Sequence, residues 1–358
     1  MRTASILAMA AALLLSAGCA DETITYPDVI RIEGDRFHVQ GIALDSEKGV
    51  IYSSFTNVLT VSDLNGNLKG SVTGITGHLG DIAFDPEKRV IYASLEFKDD
   101  AIGKAISQKI GEVGIQRSQS RFYIAEIDVD KISGPDIPLE DASRLYPVAE
   151  AGKDYMETVT VKGIEKEHRY GCSGIDGVAL APAFGEEGKK EKYLYVAYGI
   201  YGDTTRTDND YNILLRYDLA DLTVHTHKYF IHTGNTTYGI QNLAYDSFTD
   251  RMYLAVYKGK KKEYPNYGLF AIDMSQSPCT GQLQGVPYHT EEAEQVKICE
   301  GWHFKWGSTG LTSLGEGLYY ISEDGKEDGR HYCNATLYTA SDSPEAPFTR
   351  NYDTEKND

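Results

Sequence analysis

The segment His38-Val-Gln-Gly-Ile-Ala-Leu-Asp-Ser-Glu-Lys-Gly-Val-Ile-Tyr-Ser-Ser54 is written again about forty residues later as His78-Leu-Gly-Asp-Ile-Ala-Phe-Asp-Pro-Glu-Lys-Arg-Val-Ile-Tyr-Ala-Ser94. Each copy alternates apolar and polar residues, turns at Asp-x-Glu-Lys, and alternates again. That is strand, tight turn, strand. Self-similarity at a period of roughly 40 to 50 residues is the mark of a propeller or a solenoid.

Weaker copies follow. Asp176-Gly-Val-Ala-Leu-Ala leads to Tyr193-Leu-Tyr-Val-Ala-Tyr, Gln241-Asn-Leu-Ala-Tyr-Asp to Arg251-Met-Tyr-Leu-Ala-Val-Tyr, and Thr309-Gly-Leu-Thr-Ser-Leu to Gly317-Leu-Tyr-Tyr-Ile-Ser-Glu. This gives five first strands, A, and five second strands, B. A Tyr stands near the start of each B strand: Tyr52, Tyr92, Tyr195, Tyr253 and Tyr319. A small residue stands in each A strand: Ala43, Ala83, Ala179, Ala244 and Thr312. Third strands, C, end at Asp63, Asp128, Asp218 and Asp273, where a carboxylate can accept from the turn backbone two residues on. Fourth strands, D, are read at Leu68–Val72, Glu157–Val161, Thr226–Ile231 and Gln295–Ile298.

The last blade has no fourth strand of its own, and Val29-Ile-Arg-Ile has no hairpin partner nearby. Placing that N-terminal strand on the outside of the last blade closes the ring and removes exposed edges. The expected fold is all-β: a single β-propeller over residues 20–358, with five four-stranded blades and six as the alternative. An inserted helical segment is expected at about 98–120, from the spacing of Ile102, Ala105, Ile106, Ile110 and Val113.

The front end reads as an export signal. Arg2 precedes an apolar run from Ile6 to Leu15, too short to span a bilayer, and Ser16-Ala-Gly-Cys19 follows. The tetrad resembles a bacterial lipobox, which implies lipid attachment at Cys19 and residues 1–19 as signal. Cleavage by the general signal peptidase is the alternative. Either way the expected location is outside the cytoplasm, as a surface lipoprotein or a secreted protein, touching membrane only through a lipid. The net charge of −18 argues against nucleic acid as a partner. Four cysteines remain beyond Cys19, enough for disulfides in an oxidising compartment. Cys299 with Cys333 is the expected pair, where blade 4 hands over to blade 5. A monomer is expected.

In a propeller the A strands line the axis, and the D-to-A and B-to-C loops share one face, here called the top. Function tends to sit on such loops. Five histidines precede A strands: His38, His78, His168, His232 and His303; His331 joins them from a B-to-C loop. Neutral imidazoles can transfer protons or hold a metal. Gly77-His78 also resembles the Gly-His of WD40 blades, which implies a structural histidine. Oxygen donors gather at the same face: Gln40, Asp81, Asp176, Gln241 and Asn242, with Glu96 and Glu323 ending B strands at one aligned place. Such oxygens suit Ca²⁺.

The run Ile175-Asp-Gly-Val-Ala-Leu with Tyr193-Leu-Tyr-Val-Ala resembles the blade start of the SMP-30/gluconolactonase and NHL-type propellers. The resemblance implies Asp176 as a metal ligand; as a plain turn former it would cap its own loop. The expected site therefore holds a divalent ion on Asp176, Gln241, Asn242 and Asp81. His232, His303, Glu96 and Glu323 are the candidate catalytic groups, and a small ester, lactone or carbohydrate is the substrate of a metal-supported hydrolase or lyase. The alternative is a non-catalytic glycan- or protein-binding surface using Tyr201, Tyr264, Trp302 and Trp306; a scaffold for another protein is the third reading. No Gly-x-Ser-x-Gly elbow, phosphate loop, dinucleotide fingerprint or His-Glu-x-x-His is present.

Overall fold

The computed structural model describes residues 25–185 and 191–351. Cys19 lies outside them. No described helix is long and apolar enough to cross a membrane.

Five sheets, each built on four antiparallel strands, form a five-bladed β-propeller. Strand A of each blade touches strand A of the next all the way round, blade 5 to blade 1 included. The A strands are Gly41–Asp45, His78–Asp85, Cys172–Ala181, Thr237–Asp246 and Leu311–Gly315. The B strands are Val50–Ser54, Val90–Phe97, Tyr193–Ile200, Arg251–Tyr257 and Leu318–Glu327. The ring closes as the sequence implies. Val29–Glu33 runs antiparallel to Arg330–Ala340, from Val29 opposite Thr336 to Glu33 opposite Tyr332. Its alternate residues Ile30 and Ile32 are buried between blades 5 and 1.

The turn chemistry is as read. Asp63, Asp128, Asp218 and Asp273 each accept from the N–H two residues on, at 2.8–3.1 Å. The buried carboxylates of Asp45, Asp85 and Asp246 accept from the N–H groups of their own A-to-B turns. These side chains satisfy turn backbone that no ladder reaches.

Two outer strands differ from the sequence reading. Blade 2 is completed by Ser143–Pro147 on strand C, not by Glu157–Val161. Thr158–Val161 instead pairs with Ile164–Glu167 as a separate hairpin. Lys162 and Gly163 turn it with φ of 52° and 77°, the left-handed pair a two-residue hairpin turn demands. Its alternation is real, but it belongs to a local partner. Blade 4 ends with Ile298–Trp302. Gln295 lies in Ala293–Gln295, which adds in parallel to the outside of blade 3.

The repeated Tyr also shifts. Tyr52, Tyr92, Tyr195 and Tyr253 each pack toward the following blade. In blade 5 that role falls to Tyr320, which packs toward blade 1, while Tyr319 turns back to blade 4. Side chains alternate with period two, so one residue of offset changes the face of the whole strand.

The four described cysteines are free thiols, and the expected Cys299–Cys333 bridge is not formed. Cys333 is buried in strand C of blade 5 against Ser322 Oγ at 3.2 Å, whereas Cys299 lies on the outer strand of blade 4 against the Ala271 carbonyl, also at 3.2 Å. Burial pushes the Cys333 thiol up to about 12.

Candidate functional site at the axis

The ends of the B strands ring the top of the axis. Four residues on from the tyrosine that faces the next blade stand Thr56, Glu96, Gly199, Tyr257 and, once blade 5 is counted from Tyr320, Asp324. All five line the cavities at this mouth. Glu323, the expected partner of Glu96, is therefore on the wrong face. It accepts from Tyr338 Oη at 2.8 Å and from Arg350 at 2.5 and 2.9 Å, on the flank of blade 5. A pair of facing carboxylates from Glu96 and Glu323 does not exist.

The central cavity has a volume of about 340 Å³, within the usual range for small-molecule sites. Its floor is polar: Gln40, His78, Glu96, Lys98, Asp176 and Gln241. Its roof is the helix Ala101–Ile110, which presents Ala101, Ile102, Ala105 and Ile106. Asp100 caps this helix, accepting from Gly103 N at 2.9 Å, and Gly111 ends it with φ of 80°. Gly103 fits because any Cβ there would overlap the Lys98 carbonyl. At its far end the helix reaches the loop before blade 1. Arg36 donates to the Lys109 carbonyl at 2.9 Å, and the Lys109 ammonium lies 4.8 Å from the Phe37 ring centre.

The floor is a charge network with one loose end. Lys98 Nζ lies 2.5 Å from Glu96 Oε1 and 3.7 Å from Asp100, and donates to the Ser173 carbonyl at 2.9 Å. Glu96 Oε2 also accepts from Ile175 N at 3.1 Å. His78 Nδ1 stands 3.3 Å from Glu96 Oε1, an ion-pair contact without hydrogen-bond alignment. Burial alone would lower the His78 pKa, but Glu96 and Asp176 outweigh it and the net shift is upward. Burial also opposes charge on Lys98, and again the acidic neighbours win and raise it.

Asp176 is different. It is buried on the floor, and its Oδ1 has no hydrogen-bond partner. Burial, with Glu96 adding like charge and His78 opposing, pushes its pKa up to about 7. It is the one floor carboxyl with an unpartnered oxygen.

Asp81 is spent on the fold, as are the amide nitrogens of Asn242 and Gln241, while Asn242 Oδ1 is buried without a hydrogen-bond partner. Asp81 Oδ2 accepts from Val178 N and Leu243 N, both at 2.9 Å, and Oδ1 from Ile82 N at 2.9 Å. It ties blades 2, 3 and 4 together at the axis. Burial pushes its pKa up, against the pull of those three donors. Asn242 turns its amide nitrogen onto the carbonyls of Gln40 and Gln241, at 2.6 and 2.8 Å. Gln241 donates to the Tyr238 carbonyl at 2.9 Å. Among the described residues no three His, Cys, Asp or Glu side chains are gathered as a metal cage. One unpartnered carboxylate oxygen, on Asp176, and one unpartnered amide oxygen, on Asn242, fall short of the six to eight oxygens Ca²⁺ takes, and Lys98 and His78 supply positive charge beside Asp176. The donor set does not fit Ca²⁺.

The remaining candidates separate. His232 is exposed at the end of the outer strand of blade 3, between Tyr211 and Tyr264, and does not reach the axial floor. His303 is exposed in a second cavity over blades 4 and 5. His168 stacks on Tyr155 and Tyr201 off the axis. His38 does line the cavity; burial lowers its pKa, and its Nε2 is 3.2 Å from Gln40 Nε2. Of the aromatic residues expected to stack on sugars, Trp302 is 6% exposed, Tyr201 donates to Asp100 at 2.8 Å and Tyr264 to Asp210 at 2.9 Å. Trp306 remains available. Lys98 and Tyr238 were not legible as site residues. Tyr238 is exposed at the mouth with φ of 64°, beside Gly239 at 74°, in a strand bulge.

No family model matches the chain, and no curated protein does. Similar solved structures include a glucose dehydrogenase at 11% identity and a TM-score of 0.39, covering 86% of this chain and 98% of that one. A second glucose dehydrogenase crystal structure gives 11% and 0.39, covering 86% and 99%. The Dos1 propeller gives 13% and 0.36, covering 79% of this chain and 52% of that one. No functional residue is carried over from any of them.

Proposed function

We propose that the axial cavity is the active site of a hydrolase or lyase that acts on a small neutral ester, lactone or carbohydrate by general acid–base catalysis, with Asp176 as the proton-transfer group. The observation that carries this is the unpartnered Oδ1 of a buried carboxyl on the floor of a roofed cavity. A carboxyl titrating near neutrality can both hold and release a proton at working pH. In hydrolysis it would take a proton from the attacking water and return it to the leaving oxygen as the C–O bond breaks. Glu96, Lys98 and His78 are positioning residues that set its charge environment. The ligand is neutral because the floor charges already compensate one another. The apolar helix takes its hydrophobic side.

The test is a screen of aryl esters, lactones and aryl glycosides across neutral pH. Turnover should fall by about 10²–10⁴ in Asp176→Asn, the usual contribution of one acid or base. Binding without turnover in either protein would replace the enzyme reading by the ligand-binding one. A lipid tether at Cys19 belongs to the same proposal. A Cys19→Ser chain that still sediments with membranes would remove it.

A further inference from the structure

The axial cavity does not end at the axis. His38 and Tyr257 line it on one side and, on the other, a trough of about 640 Å³ that runs outward over blades 4 and 5. The helix Ala101–Ile110 contributes to the lining of the central cavity and to none of the trough. Phe304 and Trp306 line the trough, Phe304 packed against Tyr338 and Phe348 and the Lys305 ammonium 3.9 Å over the Trp306 ring centre. The lining also holds neutral polar groups with unused capacity, beside the charged Lys258, Lys305 and Asp324. Asn266 Oδ1 and His331 Nδ1 are buried and have no hydrogen-bond partner. Asn266 is held in a left-handed conformation, φ 55°, while its amide nitrogen donates to Lys261 and Tyr264 carbonyls at 2.8 and 2.9 Å. Burial lowers the His331 pKa, favouring neutral imidazole.

Aromatic rings together with hydrogen-bonding groups suit a sugar ring, since it has apolar C–H faces and a rim of hydroxyls. We propose that the trough is a second subsite continuous with the axial one, and that the ligand is a short oligosaccharide chain. Its terminal unit lies under the helix on the Asp176 floor, and the following units cross between His38 and Tyr257 onto Trp306. This rests on the axial site being the reactive one and narrows its substrate class to carbohydrate.

Calorimetric titration of the full chain with mono-, di- and trisaccharides of the gluco, galacto, manno and arabino series tests it. One series should bind, with the trisaccharide about tenfold or more tighter than its monosaccharide. Trp306→Ala should remove that gain and leave the monosaccharide affinity unchanged. Trp306 emission should change with the trisaccharide in the wild type. Trp306→Phe should keep part of the gain, which separates stacking from misfolding. Equal affinities along every series, a gain that survives Trp306→Ala, or no saccharide bound would each overturn the proposal. Asp176-dependent turnover of an ester or lactone alongside such a result would leave the axial reading standing. Length-dependent binding without any turnover would do the reverse.

Discussion

Gly80 of blade 2 lies so close to Asp176 of blade 3 that a side chain there would overlap the Asp176 Oδ1 and the hydroxyl of Ser94. Both of those oxygens are buried without a partner. The Gly in the second copy of the repeat thus makes room for the one free carboxylate oxygen on the floor.

Gly80→Ala should therefore act on the site more than on the backbone, because Gly80 is not among the residues with a left-handed φ. Crowding a packed interior in this way costs typically 1–3 kcal/mol. Equilibrium unfolding should show a loss of about that size, and turnover or ligand binding should fall with it. The double variant Gly80→Ala/Asp176→Ala should recover the part of the stability lost to the Asp176 contact, the Ser94 contact remaining, and none of the function. Full function in Gly80→Ala would show that Asp176 has room to move.

The Asp176 carboxyl also fixes a pH dependence. Its pKa in the fold, about 7, is above its ordinary value of 3.8. Between those values the folded chain holds a proton that the unfolded chain has released. Stability therefore falls as pH rises through the window and the loss is complete above about 7. His78, also shifted upward, contributes in the same direction: its share is present below 6.5 and fades as pH rises past its raised value. Asp176→Asn should flatten the profile and raise stability at neutral pH, by an amount of order 4 kcal/mol at most. The difference curve belongs to the pair, because removing Asp176 also relieves His78. Urea unfolding from about pH 4 to 8 reads it. A wild type that gains stability over that range relative to the variant would contradict the assignment.

The legible part of this molecule was what repeats. Strands A and B face neighbouring blades on both sides, so their alternation and their turn carboxylates survive in the sequence. The outer strands do not. Ser143–Pro147 touches solvent along most of its length and carries no alternation to read. The site was half legible for the same reason. Glu96 and Asp176 sit at repeat positions and could be placed by counting. Lys98 stands two residues past the counted position, in a loop, and a lone Lys looks like solvated charge. Asp324 was hidden by one residue of register: two consecutive tyrosines, Tyr319 and Tyr320, offered two alignments, and packing against blade 1 decides between them. Asp81 carried the residue type of a ligand but faces backbone N–H groups, which only the fold supplies.

Lys98 and Glu96 form a buried pair, 5% and 3% exposed at their side chains. Breaking a buried pair typically costs 3–5 kcal/mol, and His78 beside Glu96 and Asp100 beside Lys98 put the expected loss at the lower end of that range. Lys98→Met should show that loss. Lys98→Met/Glu96→Gln should be closer to wild type than either single variant predicts, since neither member then carries an isolated charge. A double-mutant cycle measures the coupling. Additive single effects would mean that the two groups are solvated independently and that the floor is open to water.

Asp81 separates the fold from the chemistry. Its two oxygens accept three backbone N–H groups from strands of three blades, a task for a group with acceptors only. Asp81→Asn would put an amide N–H₂ against N–H donors on one side, so even this near-isostere should destabilise. Each buried donor left unpaired costs about 1–3 kcal/mol, which sets the expected scale at several kcal/mol. Hydrogen exchange localises the effect: the amides of Val178 and Leu243 should lose protection first, ahead of the ladders further out in blades 3 and 4. Any turnover should survive in the fraction that stays folded, because Asp81 is absent from the cavity lining. Protected amides at both positions with a loss under about 1 kcal/mol would show that the blades need no carboxylate at the axis. Asp81 would then return as a candidate for the ligand itself.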